Sequence, residues 1–153
     1  MRYSRRFLIF SALALAACGR ATPAPDRQEP PLYPNETPEI RALINRYADE
    51  YEVPRTLVHR VVQRESMYRP AARNGPYWGM MQILPETART MGFRGQPSDL
   101  LDAETNLKYA VKYLRGAWLV SDGDEATAVM WYARGYYYEA KRRGLLYETG
   151  LRS

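Results

Sequence analysis

The sequence predicts an all-α fold, or a helical one with a minimal β element, on three observations. Apolar residues recur at helical spacing through most of the chain beyond residue 37. Thr, Pro and Asp stand where those stretches begin, and Gly where they end. No segment alternates convincingly with period two; Met80 to Leu84 comes nearest, and it is short and bounded by Gly79 and Pro85.

The elements follow in order. Thr37-Pro38-Glu39 is a helix start: a capping hydroxyl, proline at the first helical position and an acid in the first turn. Ile40, Leu43, Ile44 and Tyr47 continue it. Pro54 opens a second helix with Leu57, Val58, Val61 and Val62 on one face. Asn74, Gly75 and Pro76 mark a loop after Tyr68. A short helix from Pro85 to Met91 is stopped by Gly92. Asp102 is the N-cap expected for a longer helix, whose inward stripe is Ala103, Asn106, Leu107, Ala110, Tyr113, Leu114, Ala117 and Trp118. Asp122, Gly123 and Asp124 form a turn. Ala126 to Ala133 is apolar almost all round and reads as a central buried helix. Gly135 and Gly144 bracket a last amphipathic helix.

The chain's 153 residues suffice for one domain. Its formal charge is +5, but Arg2, Arg5 and Arg6 belong to a leader expected to be removed, leaving 19 basic against 17 acidic residues. A net +2 without a basic stripe argues against a nucleic-acid partner. Lys141-Arg142-Arg143 reads as a solvated helix end. Tyrosine is frequent, with 13 copies and the run Tyr136-Tyr137-Tyr138; most of these rings are expected to fill core, and the remainder suit stacking on sugars.

Residues 1–17 read as a signal peptide: the three arginines, then 11 mostly apolar residues from Phe7 to Ala17, too few to span a bilayer stably. Leu15-Ala16-Ala17-Cys18 resembles the bacterial lipobox, which implies cleavage before Cys18 and a lipid anchor on its sulfur. A plain secretory signal ending in an incidental cysteine is the alternative. Gly19 in place of Asp favours, by the same resemblance, the periplasmic face of the outer membrane. Cys18 is the only cysteine, so no intramolecular disulfide can form. Residues 18–36, rich in proline, read as a linker, and residues 37–153 as the folded domain.

Glu65 breaks a pattern. It lies four residues after Val61 and three after Val62, which places its carboxyl on the apolar face of the second helix. Withdrawn from water, such a group holds its proton near neutral pH, as a glycosidic acid must. If the helix ends sooner, Glu65 pairs instead with Arg60 or Arg64 and has no chemical role.

Around it stand Glu65-Ser66, Gly79-Met80-Met81-Gln82-Ile83-Leu84-Pro85, Asn106-Leu107 leading to Tyr113-Leu114, and Tyr132 in a Tyr-x-x-Gly run. In this order and spacing they resemble the Slt-type lytic transglycosylases of glycoside hydrolase family 23, over roughly residues 40–144. The resemblance implies a goose-type lysozyme-like fold, and peptidoglycan glycan strands as substrate. It implies cleavage of the β-1,4 bond between N-acetylmuramic acid and N-acetylglucosamine, with a 1,6-anhydro product. Glu65 matches the family's single catalytic acid, and Asp99, Asp102 and Glu86 remain as possible second carboxylates. Ser66, Tyr77, Met81, Gln82 and Tyr132 are the expected substrate-binding residues. Ser66 otherwise satisfies a local carbonyl, Met81 otherwise packs, and Tyr77 with Trp78 otherwise braces its loop. Tyr132 is followed by Ala133 where the family has Asn, which supports the alternative of a chain that binds peptidoglycan without turnover; a true lysozyme that admits water is a third reading. His59, the sole histidine, has no partner set for catalysis or metal binding, and no cofactor or metal is expected.

Overall fold

A computed structural model describes residues 30–152. The signal peptide, Cys18 and most of the expected linker lie outside the described residues. Residues 31–152 form one body of six α-helices: α1 Pro38–Glu50, α2 Arg55–Ser66, α3 Pro85–Thr90, α4 Ala103–Leu119, α5 Glu125–Arg134 and α6 Tyr137–Arg143. A 3-10 helix, Pro97–Leu101, precedes α4, and a two-stranded antiparallel ribbon, β1 Arg73–Asn74 and β2 Tyr77–Trp78, lies between α2 and α3.

The helix starts are made by the residues expected. Thr37 caps α1 by accepting the Ile40 N–H at 3.2 Å, with Pro38 in the first turn. Asp102 caps α4 through the Thr105 N–H at 2.8 Å; Asp124, read only as part of a turn, caps α5 through the Thr127 N–H at 2.7 Å. α1 and α2 bury Ile44, Leu57, Val58, Val61 and Val62 completely.

The central element is α4, which packs against α1, α3, the 3-10 helix and α5. Its buried face is Asn106, Leu107, Ala110, Val111, Leu114, Gly116 and Ala117; Tyr113 and Trp118 are only partly covered. α5 is not the buried centre its composition predicts. Only Ala128, Val129 and Tyr132 are buried, while Ala126 and Ala133 are exposed. Alanine is small enough to be left in water at little cost, so an alanine-rich helix can look buried without being so.

The ribbon also differs from expectation, for it falls in the segment read as loop. Arg73 pairs with Trp78 and Asn74 with Tyr77 across a two-residue turn whose first residue, Gly75, has φ +55°. Glycine with positive φ at that position suits a type II′ hairpin. Ile83, within the stretch that most resembled a strand, makes only an isolated bridge to Trp78. Pro31 to Glu36 belongs to the helical body, because Glu36 is buried and paired with Arg41 of α1 at 2.6 Å.

The tyrosines divide by position. Tyr47, Tyr68, Tyr132 and Tyr136 are buried, whereas Tyr77, Tyr137, Tyr138 and Tyr147 are exposed. Arg142 and Arg143 both bond Glu139 at the solvated end of α6.

Candidate active site

Glu65 is the penultimate residue of α2, so the helix does reach it. Its neighbours on that face, Val61 and Val62, are fully buried, and its own side chain retains 24 % of its exposure at the lip of a hollow of about 330 Å³. The hollow is lined by Arg64, Glu65, Asn74, Tyr77, Gln82, Tyr132 and Ala133. A second hollow of about 250 Å³ shares Tyr77, Gln82, Tyr132 and Ala133 with the first, and runs on to Thr87, Tyr113 and Gly135. Together they make a cleft bounded by the ribbon, the loop before α3 and the end of α5.

Burial raises the Glu65 pKa above the ordinary carboxyl value, and the nearby Arg64 guanidinium opposes the shift. Arg64 Nε stands 3.6 Å from Glu65 Oε1, too far for a hydrogen bond, and Arg60 is directed to Glu125 instead. Among the described residues, Glu65 is the only carboxylate lining either hollow. Asp102 is engaged as the cap of α4, Asp99 accepts the Gln96 N–H, and Glu86 is exposed in the first turn of α3.

The other expected residues separate into two groups. Tyr77, Gln82 and Tyr132 line the cleft with Glu65. The Gln82 amide nitrogen donates to the carbonyls of Gly79 at 2.7 Å and Ala72 at 3.1 Å, tying the loop to the ribbon. Tyr132 is almost wholly buried and donates its hydroxyl to the Met81 carbonyl at 2.9 Å. Burial, then the facing Glu65 carboxylate, push its pKa well above the usual phenol value, so this hydroxyl stays protonated.

Ser66 and Met81 do not reach the cleft. Met81 is fully buried in the core, consistent with packing. Ser66 is buried too, its hydroxyl 3.4 Å from the Val62 carbonyl while accepting the Arg69 N–H at 3.2 Å. Ala133, exposed at the cleft wall, presents a methyl group where a longer polar side chain would have room. Arg73 stacks its guanidinium 3.4 Å from the Trp78 ring centroid, so Trp78 serves the ribbon while its neighbour Tyr77 faces the cleft.

One residue stands in the stripe of α4 and in the motif series without a role assigned to it. Asn106 is fully buried among the apolar residues of α4. Its Nδ2 donates to the carbonyls of Trp78 and Leu100, each at 2.9 Å, and its Oδ1 accepts the Met81 N–H at 2.9 Å. It clamps the loop that carries Gln82 and the acceptor for Tyr132. Gly79 permits the approach: with φ +73°, a Cβ there would lie 2.1 Å from the Leu100 carbonyl oxygen and 2.2 Å from Asn106 Nδ2. A polar residue inside an apolar helical stripe was the signal available for it.

His59 is partly buried, with Nδ1 3.0 Å from the Tyr68 hydroxyl and 3.6 Å from Glu36 Oε1, away from the cleft residues.

The helical fold and its acid-bearing cleft define a lysozyme-like domain. The family model named Transglycosylase SLT domain matches residues 42–147, and the chain belongs to that family. Membership gives the protein a lytic transglycosylase-type function on peptidoglycan glycan. No solved structure matches the chain significantly.

Proposed function

We propose that the protein is a lytic transglycosylase that cuts the β-1,4 bond between N-acetylmuramic acid and N-acetylglucosamine, with Glu65 as its acid and base. The observation that carries this reading is a half-withdrawn carboxyl in the cleft, with no second carboxylate lining it among the described residues. A glycosidase that relies on two carboxyls sets both beside the scissile bond. A single group must serve twice, and the substrate must supply the nucleophile.

Glu65, whose hold on its proton burial strengthens, donates that proton to the glycosidic oxygen as the bond to the muramoyl anomeric carbon breaks. The substrate's own N-acetyl group supports the oxocarbenium-like centre. The Glu65 carboxylate then takes the proton of the muramoyl O6 hydroxyl, and O6 bonds to the anomeric carbon. Glu65 ends protonated, no water is consumed, and the product is a 1,6-anhydro sugar. Tyr77, Gln82 and Tyr132 bind the glycan along the cleft, while Ser66 and Met81 support them from behind.

Digestion of purified sacculi with the full chain tests this. Soluble muropeptides one water lighter than hydrolysed ones are the expected products. Reducing ends would instead indicate a lysozyme, and bound protein on intact sacculi a binding module. Glu65→Gln is expected to bind without release, and release by that variant would sink the assignment. Localisation remains a separate proposal resting on residues 1–18: a diacylglycerol on Cys18 tethers the domain to the periplasmic face of the outer membrane. Cys18→Ser is expected to shift the protein from the membrane to the soluble fraction.

A further inference from the structure

Directly after Glu65-Ser66 the chain does something costly. Met67 and Tyr68 are consecutive non-glycine residues with positive φ, +52° and +60°. A bulky side chain in that region is held there by its surroundings, not by its own preference.

The holding contacts come from Pro31 to Glu36, ahead of the family-matched residues 42–147. Asn35 Nδ2 donates to the Met67 carbonyl at 3.2 Å. The Tyr33 ring stacks on Tyr68, with centroids 5.5 Å apart and planes within 13°. The segment is itself anchored by Glu36, whose carboxylate is fully buried. It accepts Arg41 Nε at 2.9 Å, Arg41 Nη2 at 2.6 Å and the Tyr33 N–H at 2.8 Å. Arg41 Nη2 also donates to the Pro31 carbonyl. His59 of α2 completes the junction, 3.6 Å from Glu36 and 3.0 Å from the Tyr68 hydroxyl. A buried ion pair adds little net stability but demands one geometry. Here that geometry joins α1, α2 and the turn after Glu65.

We propose that Pro31–Glu36 is a strap whose residues Tyr33, Asn35 and Glu36 position Glu65 by locking the left-handed Met67–Tyr68 turn. The proposal rests on the reading of Glu65 as the acid. Without the strap, Met67 and Tyr68 relax, the last turn of α2 frays, and the carboxyl two residues upstream loses its fixed place in the hollow. The strap residues act through Glu65 and have no contact with substrate.

The test uses full-chain variants. Asn35 itself has φ +65°, so Asn35→Gly removes a solvent-exposed bond without straining the backbone and leaves the buried pair intact; Glu36→Gln strikes the anchor itself. Each is expected to lower kcat by about tenfold or more with KM changed less than about twofold. The groups facing Glu65 are Arg64 from its own helix, Asn74 and Tyr77 from the ribbon, Gln82 from the loop and Tyr132 from α5. Loosening lets water reach the carboxyl among them, so the alkaline limb of the kcat/KM profile moves to lower pH. Glycine adopts positive φ freely, so Met67→Gly is expected to restore activity to Asn35→Gly. An unmoved limb with activity falling only with the folded fraction, no loss in Asn35→Gly, or no rescue by Met67→Gly would overturn the positioning role. Wild-type chain that releases nothing from sacculi overturns the reading of Glu65 itself, and the strap's role with it.

Discussion

A carboxyl partly removed from water binds its proton more tightly in the folded chain than in the unfolded one, and Glu65 is held in that state by burial. The sign follows. Below the unfolded pKa of about 4 the proton is bound in both states and nothing is lost. As pH rises through the raised folded value, ionising Glu65 costs stability, and above it the penalty is complete. Glu65→Gln is therefore expected to abolish release while raising Tm at neutral pH by about 1–4 °C, a trade of stability for function. Thermal melts at pH 7 and pH 4 check this: the gain should shrink at the lower pH. Asn106 has the opposite standing. Asn106→Leu strands the Met81 N–H and the Leu100 carbonyl and leaves the Trp78 carbonyl with the Ile83 N–H alone. A loss of about 3 kcal/mol or more in urea unfolding is expected, with activity lost too because Gln82 and Tyr132 share that loop.

At the scale of elements, capping and packing make separable contributions. α4 is capped by Asp102 and buries Leu114 completely at its centre. Asp102→Ala is expected to cost about 1 kcal/mol, and Leu114→Ala about 2–5 kcal/mol, in denaturant titrations. The two sites lie more than three helical turns apart, so the losses should add in the double variant. These elements were legible because their signals are local: Thr37, Pro38, Asp102 and Gly144 act on backbone groups within a turn of themselves. The ribbon was not legible, since two-residue strands carry no period. α5 was misread because an alanine-rich stretch fits equally a buried helix and the wall of a cleft.

For the molecule as a whole, acid should be the effective denaturant. Hydrogen bonds from Arg41 and the Tyr33 N–H outweigh the burial that would raise Glu36, holding its pKa below the ordinary value. Arg55 does the same for Asp49, Arg46 for Glu104 and Arg143 for Asp122. Arg142 and Arg143 lower Glu139 to about 2. A depressed carboxylate contributes stability that is whole above about pH 4 and lost as pH falls through its folded value. Most of these pairs are exposed and contribute little, so the buried Glu36 should dominate. Tm measured from pH 7 down to pH 2 is expected to fall less steeply for Glu36→Gln than for wild type, whereas Asp49→Asn should follow the wild-type slope.

By itself the sequence determined the helical class, most helix boundaries, the place of Glu65 on an apolar face and the motif series that marks the family. All are written in neighbours within a turn or in short runs of residue types, so no knowledge of long-range contacts is needed to read them. Tertiary structure decided the environments. It withdrew Glu65 from water without a second carboxylate lining its hollow, and sent Met81 and Ser66 behind the cleft while Tyr77 and Gln82 line it. It also made Asn106 a clamp and brought Glu36 of an apparent linker against Arg41 and His59. Burial and pairing are properties of distance in space: Asn106 meets the Met81 N–H across 25 positions, and Tyr132 its carbonyl across 51, only because the helices have packed.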